Sequence, residues 1–164
     1  MNKYYLNIPY PSYDHLIHNN QYADIILSLT SGLNSKMSAI SLYFYNSIII
    51  SNTEIKEAMD TICTTEIYHL KILSDIAYLL GADPRLWESR DDSFEYWSPS
   101  YNIYSLKTKD ILKHAITKEQ YFIHFYKHQL NSIDDPVICK VLNRLLLDDQ
   151  LHLKIFKKLL KDQS

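Results

Sequence analysis

Apolar residues recur along most of the chain in alternating steps of three and four positions, the spacing of one face of an α-helix. The pattern predicts four long helices, over residues 20–50, 53–80, 105–130 and from an Asp-Asp-Pro run at 134–136 to about residue 160. Gly81 is the expected stop of the second helix, and the acidic residues before Pro136 are the expected cap of the fourth. With two glycines in the whole chain and little room for strands, the predicted fold is all-α.

The connections between these helices predict how they pack. The links after the first and third helices are short, whereas residues 81–104 form a long, aromatic-rich crossover. This order favours a four-helix bundle of two antiparallel hairpins. We expect residues 20–164 to form this single domain, residues 1–19 to form an extended N-terminal arm, and Trp87 and Trp97 to pin the crossover to the bundle.

Polar residues interrupt the apolar face of two of the helices at matching places. In the second helix the exceptions are Glu66 and His69, and in the fourth they are Asp149 and His152. Residues at i and i+3 share a helix face, so each carboxylate should point into the bundle together with its histidine. A buried carboxylate without a partner costs several kcal/mol, which predicts a compensating positive centre, most simply a metal ion.

The first and third helices repeat each other in the same register. Glu66 and Asp149 lie 83 positions apart, as do His69 and His152, and the same offset relates the pairs Lys36 and Glu119, and Tyr43 and Tyr126. Within each hairpin, 30 positions separate the first member from the second: 36 from 66, and 119 from 149. Positions 36, 66, 119 and 149 should therefore meet at one level in the interior.

One carboxylate from each of two helices, with a Glu-x-x-His motif on each of the other two, is the ligand set of ferritin-like di-metal carboxylate proteins. Over about residues 20–160 the chain resembles that superfamily, most closely its rubrerythrin-like bacterial branch. The resemblance implies a metal-bound oxidoreductase and gives each matching residue a role. The implied metal ligands are Glu66, His69, Glu119, Asp149 and His152, and the implied hydrogen-bond donors to those ligands are Tyr43 and Tyr126.

The chain departs from the family pattern at two positions. Lys36 stands where a fourth carboxylate is expected, and Asp149 is one methylene shorter than glutamate. Glu66, Glu119, Asp149 and Lys36 together carry a charge of -2, which one divalent ion would balance. We therefore expect one ion of iron, manganese or zinc, with the Lys36 ammonium in place of a second. Two ions, or a metal-free relic, are the alternatives, and a neutral Lys36 acting as a base or ligand is a minority interpretation.

Net charge, hydropathy and the two cysteines limit which binding partners and cofactor modules we expect. A net charge of -2 offers no basic patch for nucleic acid, and no apolar run is long enough to span a bilayer, so we expect a cytoplasmic protein without nucleic-acid or membrane partners. Cys63 and Cys139 form no C-x-x-C pair, so no rubredoxin module is encoded. His114, His124 and His128 lie beside the Glu119 face, and surface or supporting roles are expected for them.

Two functions follow from these observations. The first is a metal-dependent oxidoreductase that acts on peroxide or dioxygen, takes electrons from a separate donor and forms a homo-oligomer, most simply a dimer. The second is a non-catalytic ferritin-like structural or assembly module with a degraded metal site. Metal content would distinguish them.

Overall fold

The computed structural model describes residues 4–90 and 93–163. Its α-helices are α1 (Asn20–Ser31), α2 (Lys36–Ile49), α3 (Thr53–Leu79), α4 (Thr108–Gln129) and α5 (Pro136–Lys161). The pair α2 and α3 forms one hairpin, the pair α4 and α5 forms the other, and α1 packs mainly against α3. The predicted all-α bundle of two hairpins with a long crossover is therefore confirmed.

The first predicted helix, over residues 20–50, is broken in the structure, so that part of the prediction was wrong. Gly32 leaves α1 in an extended conformation, and the Ser35 hydroxyl accepts a hydrogen bond from the Ser38 amide to cap α2. A Cβ at position 32 would lie 2.5 Å from a Glu88 carboxylate oxygen, so glycine leaves room for the crossover there. Serine side chains that bond to nearby backbone compete with a continuous helix. As a result, α2 begins at Lys36.

The crossover contains a short antiparallel sheet that the helical pattern did not predict. Strands β1 (Trp87–Arg90) and β2 (Ser93–Tyr96) pair with each other, and a single 3-10 turn follows at Pro99–Tyr101. The Trp97 indole donates to the Ser38 hydroxyl over 3.0 Å, and the Asn102 amide donates to the Ser38 carbonyl over 2.9 Å. The crossover is thus tied to the first turn of α2, in agreement with the role expected of Trp97.

Two predicted helix ends are confirmed by their backbone geometry. Gly81 has a φ of 108°, which favours glycine, and it directly follows Leu80, the C-cap residue of α3. The Asp135 carboxylate accepts hydrogen bonds from the amides of Val137 and Ile138 at the start of α5. Among the described residues, no helix is both long and apolar enough to cross a membrane.

The N-terminal arm lies against the bundle through side-chain contacts. The Tyr10 hydroxyl donates to Asp148 on α5, and the Tyr13 hydroxyl donates to Asp75 on α3. Asn19 ends the arm and caps α1 by accepting from the Tyr22 amide. Residues 4–19 are therefore held on the surface formed by α3 and α5.

Candidate metal centre

The structure brings the residues singled out by the sequence repeat to one place in the bundle interior. α2 contributes Lys36, α3 contributes Glu66 and His69, α4 contributes Glu119, and α5 contributes Asp149 and His152. Every one of them has a relative exposure of 0%. The predicted convergence of positions 36, 66, 119 and 149 is therefore observed.

Lys36 forms two buried ion pairs. Its Nζ lies 2.6 Å from Glu66 Oε2 and 2.8 Å from Asp149 Oδ2, and it stands 3.8 Å above the centre of the Phe122 ring. Burial acts to lower the lysine pKa, but the carboxylates of Asp149 and Glu66 outweigh it and hold that pKa well above its usual range. Lys36 is accordingly an ammonium ion, paired with Glu66 and Asp149.

The break before α2 gives this lysine an unusual electrostatic position. As the first residue of α2, Lys36 sits at the positive end of a helix dipole, where a cation is disfavoured by roughly 0.3–1 kcal/mol. The two carboxylates must overcome that cost as well as the cost of burial. The site therefore depends on the carboxylates staying close to the ammonium.

On the other side of Glu66 and Asp149, four ligand-type atoms surround a common space. His152 Nδ1 lies 3.1 Å from Glu66 Oε1, 3.5 Å from Glu119 Oε2 and 3.8 Å from Asp149 Oδ1. Ligand atoms about 2.1 Å from one tetrahedral ion lie about 3.4 Å apart. Glu66, Glu119, Asp149 and His152 together present one such atom each, all within 4.8 Å of one another. This donor set suits manganese, iron or zinc.

The same atoms lack hydrogen bonds within the described part of the chain. Glu66 Oε1, Glu119 Oε2, Asp149 Oδ1 and both ring nitrogens of His152 are buried without a hydrogen-bond partner among the described residues. Buried polar atoms are almost always satisfied, and a cluster of unsatisfied ones calls for an explanation such as an ion. The chemistry of this donor set therefore fits a divalent metal ion, which Glu66, Glu119, Asp149 and His152 would hold.

The pKa values of the cluster residues are shifted because several charged groups are buried close together. Burial, together with the nearby carboxylates of Glu66 and Glu119, raises the pKa of Asp149 to about 8 even though Lys36 opposes the shift. Burial acts to raise the pKa of Glu66, but Lys36 and His69 outweigh it and hold that pKa well below the usual range. For His152 burial acts to lower the pKa, yet Glu119 and Glu66 raise it to about 10. A metal ion and a proton therefore compete for His152.

His69 borders both sides of the cluster, because its Nδ1 is equally near the Glu66 oxygen that meets Lys36 and the Asp149 oxygen that faces His152. Its Nδ1 is 3.5 Å from both Glu66 Oε2 and Asp149 Oδ1, and its Nε2 is 3.0 Å from Asp148 Oδ2. His69 does not belong to the group of four whose atoms converge most tightly. The Asp148 contact directs the other ring nitrogen toward the carboxylates, as carboxylate partners do for metal-binding histidines.

Sequence reasoning missed Asp148 and its partners. Asp148 Oδ2 also accepts from the Tyr10 hydroxyl over 2.7 Å and pairs with Arg144 Nη1 at 2.7 Å. The available signal was local: an Asp-Asp pair at 148–149, preceded at i−4 by an arginine on an otherwise apolar stretch of α5. Tyr10 carried no signal, because the arm contains no repeated pattern.

The two tyrosines related by the repeat have different environments. The Tyr43 hydroxyl donates to Glu119 Oε1 over 2.6 Å, so it acts on an expected ligand as predicted. Tyr126 is also fully buried, with its ring 5.6 Å from Lys36 Nζ, but its hydroxyl has no hydrogen-bond partner among the described residues. The prediction that Tyr126 donates to a ligand was therefore wrong, because a lysine replaces the carboxylate that it would have met.

The remaining histidines of α4 stay outside the cluster. His124 and His128 are exposed and His114 is half-buried on the flank of the helix. Their expected surface roles agree with these positions.

Comparison with known proteins supports the architecture. No protein-family model and no curated protein sequence matches the chain. Two crystal structures of KatB, a manganese catalase from Anabaena PCC7120, superpose with TM-scores of 0.80 and 0.81 at 21% and 20% sequence identity. They cover 91% and 97% of this chain, and 75% and 80% of the catalase. The chain therefore has the ferritin-like bundle fold of these structures.

Proposed function

We propose that this protein binds one divalent metal ion, manganese or else iron or zinc, and acts as an oxidoreductase on hydrogen peroxide. The observation that carries the proposal is the convergence of ligand atoms from Glu66, Glu119, Asp149 and His152 within 4.8 Å, fully shielded from solvent. The likeness to a manganese catalase favours manganese as the ion and peroxide as the substrate, in preference to dioxygen.

The proposed ion lies between Glu119 and His152, and Glu66 and Asp149 complete its ligands. We propose His69, whose Nδ1 lies 3.5 Å from Asp149 Oδ1, as a fifth and more distant ligand. A bound cation would favour an ionised Asp149 and a neutral His152, and in that state the three carboxylates and the Lys36 ammonium sum to a charge of -2, which one divalent ion neutralises. Lys36 Nζ, at 2.6 Å and 2.8 Å from Glu66 and Asp149, supplies the positive charge that a second ion would otherwise supply.

When bound, the ion supplies redox chemistry that can convert two molecules of hydrogen peroxide into one of dioxygen and two of water. The chain supplies the surroundings. The Lys36 ammonium offers N–H donors and a fixed positive charge beside the reacting space, and the Tyr43 hydroxyl holds Glu119 in place over 2.6 Å. Complete burial of the cluster keeps these interactions strong by excluding bulk water.

A cavity of about 330 Å³ lies between the arm and α3, next to this centre. Its lining is contributed by Tyr5, Leu6, Tyr10, Thr64, Thr65, Tyr68 and Asp148. Asp148 is 3.0 Å from His69, so the cavity ends one residue away from the cluster. We propose it as the approach for a molecule as small as peroxide.

Domain organisation and partners belong to the same proposal. Residues 20–164 form one functional unit, and residues 1–19 form an arm that serves it. A separate electron donor is needed only if peroxide is reduced to water without release of dioxygen. The homo-oligomer and the cytoplasmic location stay predictions from the sequence.

A structural or assembly module is the second candidate, and one observation favours it. Glu66 already contacts the Lys36 ammonium at 2.6 Å, and nearby carboxylates raise the pKa of both His69 and His152 against the effect of burial. The cluster can therefore compensate its own charges with protons and lysine alone. In that case the buried polar network would stabilise the bundle without catalysis.

Manganese content and dioxygen evolution, measured on the same sample, test the proposal. The protein is stripped with chelator, reloaded anaerobically with Mn²⁺, freed of excess ion and mixed with hydrogen peroxide. We expect close to one manganese per chain and dioxygen release that His152→Gln abolishes while His114→Gln retains it. Protein that stays folded yet retains no manganese under these conditions would favour the structural module.

A further inference from the structure

One carboxylate oxygen on α5 gathers contacts from three parts of the protein. Asp148 Oδ2 lies 2.7 Å from the Tyr10 hydroxyl of the arm, 3.0 Å from His69 Nε2 on α3 and 2.7 Å from Arg144 Nη1 on α5. Asp148 is 1% exposed and Arg144 is 5% exposed. Such a shared, desolvated oxygen holds its three partners in one arrangement, because moving one partner alters the oxygen for the others.

Arg144 holds the arm with the rest of its guanidinium group. Its Nε and Nη2 donate to the Ile8 carbonyl over 3.0 Å and 2.9 Å. The guanidinium carbon lies 4.3 Å from the centre of the Tyr10 ring, a favourable cation–π distance. Arg144 and Asp148 hold residues 8–10 of the arm. The same two side chains pair with each other at the Asp148 oxygen that contacts His69 Nε2.

The contact between His69 Nε2 and Asp148 determines where the other ring nitrogen, Nδ1, lies. With Nε2 directed at Asp148, Nδ1 lies 3.5 Å from Glu66 Oε2 and 3.5 Å from Asp149 Oδ1. A turn of the imidazole ring would move both nitrogens at once. Tyr10 itself stands 3.3 Å from His69 Nε2, so the arm also limits that turn directly.

We propose that residues 8–10 of the arm are a strap that positions His69 for the metal centre, and that arm docking and metal binding are coupled. Tyr10, Arg144 and Asp148 are its positioning residues. The metal part of this inference rests on the proposed function. Coupling between two binding events is reciprocal, so a docked arm raises metal affinity by the factor by which the metal favours docking.

Two tyrosine variants of the arm test the proposed strap, one as the test and the other as its control. Tyr10→Phe removes the bond to Asp148 and keeps the ring against Arg144. Tyr13→Phe removes another bond of the arm to the bundle, from the Tyr13 hydroxyl to Asp75 Oδ2 over 3.2 Å, and no contact among the described residues joins that bond to His69. Each variant removes one hydroxyl from the arm, and of the two only the Tyr10 hydroxyl lies next to His69.

Metal affinity and arm protection are the first pair of measurements. Partners of metal-binding histidines typically change affinity 10- to 100-fold, so we expect Tyr10→Phe to weaken Mn²⁺ binding about tenfold in competition with a chelator. Tyr13→Phe should stay within about twofold of wild type. Mn²⁺ should also slow amide hydrogen exchange across residues 4–10 in wild type, and less so in Tyr10→Phe. Equal Mn²⁺ affinity in all three proteins would overturn the coupling.

A double-mutant cycle in metal-free protein separates the strap from the proposed function. The melting temperature is measured for Tyr10→Phe, His69→Gln and their combination, and for the same set with Tyr13→Phe. We expect the Tyr10 and His69 shifts to be clearly non-additive and the Tyr13 and His69 shifts to add. Additive shifts for Tyr10 and His69 would overturn the strap. If wild type binds no Mn²⁺ while the cycle shows coupling, the proposed function fails and the positioning of His69 by the arm stands.

Discussion

The ammonium of Lys36 lies 2.6 Å from a carboxylate oxygen of Glu66 in a part of the bundle with no solvent exposure. A pair so deeply buried is costly to create and more costly to break, because removal of one partner leaves the other charge without compensation. The pair is therefore the natural target for testing both the stability of the cluster and the proposed ion stoichiometry.

Replacement of Lys36 by methionine should destabilise the metal-free protein. Glu66 and Asp149 would lose their cation and remain buried, so we expect a loss of about 3–5 kcal/mol in the free energy of unfolding. Chemical denaturation in the presence of chelator measures it. Lys154→Met, an exposed lysine of α5, is the control and should leave stability nearly unchanged. An unchanged midpoint for Lys36→Met would mean that the carboxylates do not need the ammonium.

Replacement of Lys36 by glutamate should raise the number of bound ions from one to two. The change restores a fourth carboxylate and brings the cluster charge to -4, which two divalent ions balance. Elemental analysis after anaerobic reloading with manganese measures the ratio. Lys36→Gln removes the ammonium without adding a carboxylate and should keep one ion. Two tightly held ions in wild type would contradict the idea that lysine stands in for a metal.

The two related tyrosines allow a matched comparison. Tyr43→Phe removes the 2.6 Å hydrogen bond to Glu119 and frees that carboxylate to rotate, so we expect Mn²⁺ affinity to fall about 10- to 100-fold. Metal-free stability should fall by about 1–2 kcal/mol. Tyr126→Phe removes a hydroxyl that bonds no described residue and should change affinity far less. Equal effects of the two variants would show that loss of a buried hydroxyl, and not the Glu119 bond, is responsible.

The repeat made most of the fold and much of the centre predictable. An 83-residue offset recurring at four pairs locates facing helices and the level at which they meet, because helix periodicity links spacing to direction. Local backbone competition was harder to predict. The break before Lys36 coincides with the extended backbone of Gly32 and the Ser35 cap, neither of which alters the apolar pattern.

Contacts from outside the repeat were not predictable. Tyr10 meets Asp148 across 138 positions of sequence, and the arm has no periodic pattern that would indicate which face it covers. The assignment of Tyr126 failed for a related reason. Tyr43, which the repeat relates to Tyr126, keeps a carboxylate partner in Glu119. At position 36 the lysine places an ammonium where Tyr126 would have found an acceptor.

Stabilisation by metal should discriminate among ions. A ligand that binds only the folded protein stabilises it by about 2.7 kcal/mol at one hundred times its dissociation constant. A site with an imidazole nitrogen favours manganese, iron or zinc over magnesium, so Mn²⁺ should raise the melting temperature where Mg²⁺ at the same concentration does not. Glu119→Gln should remove the Mn²⁺ response, since it withdraws one carboxylate from the group of four. Glu57→Gln, an exposed carboxylate on α3, should keep it. A Mn²⁺ response that survives Glu119→Gln would place the ion elsewhere on the protein, and no response in wild type would favour the structural module.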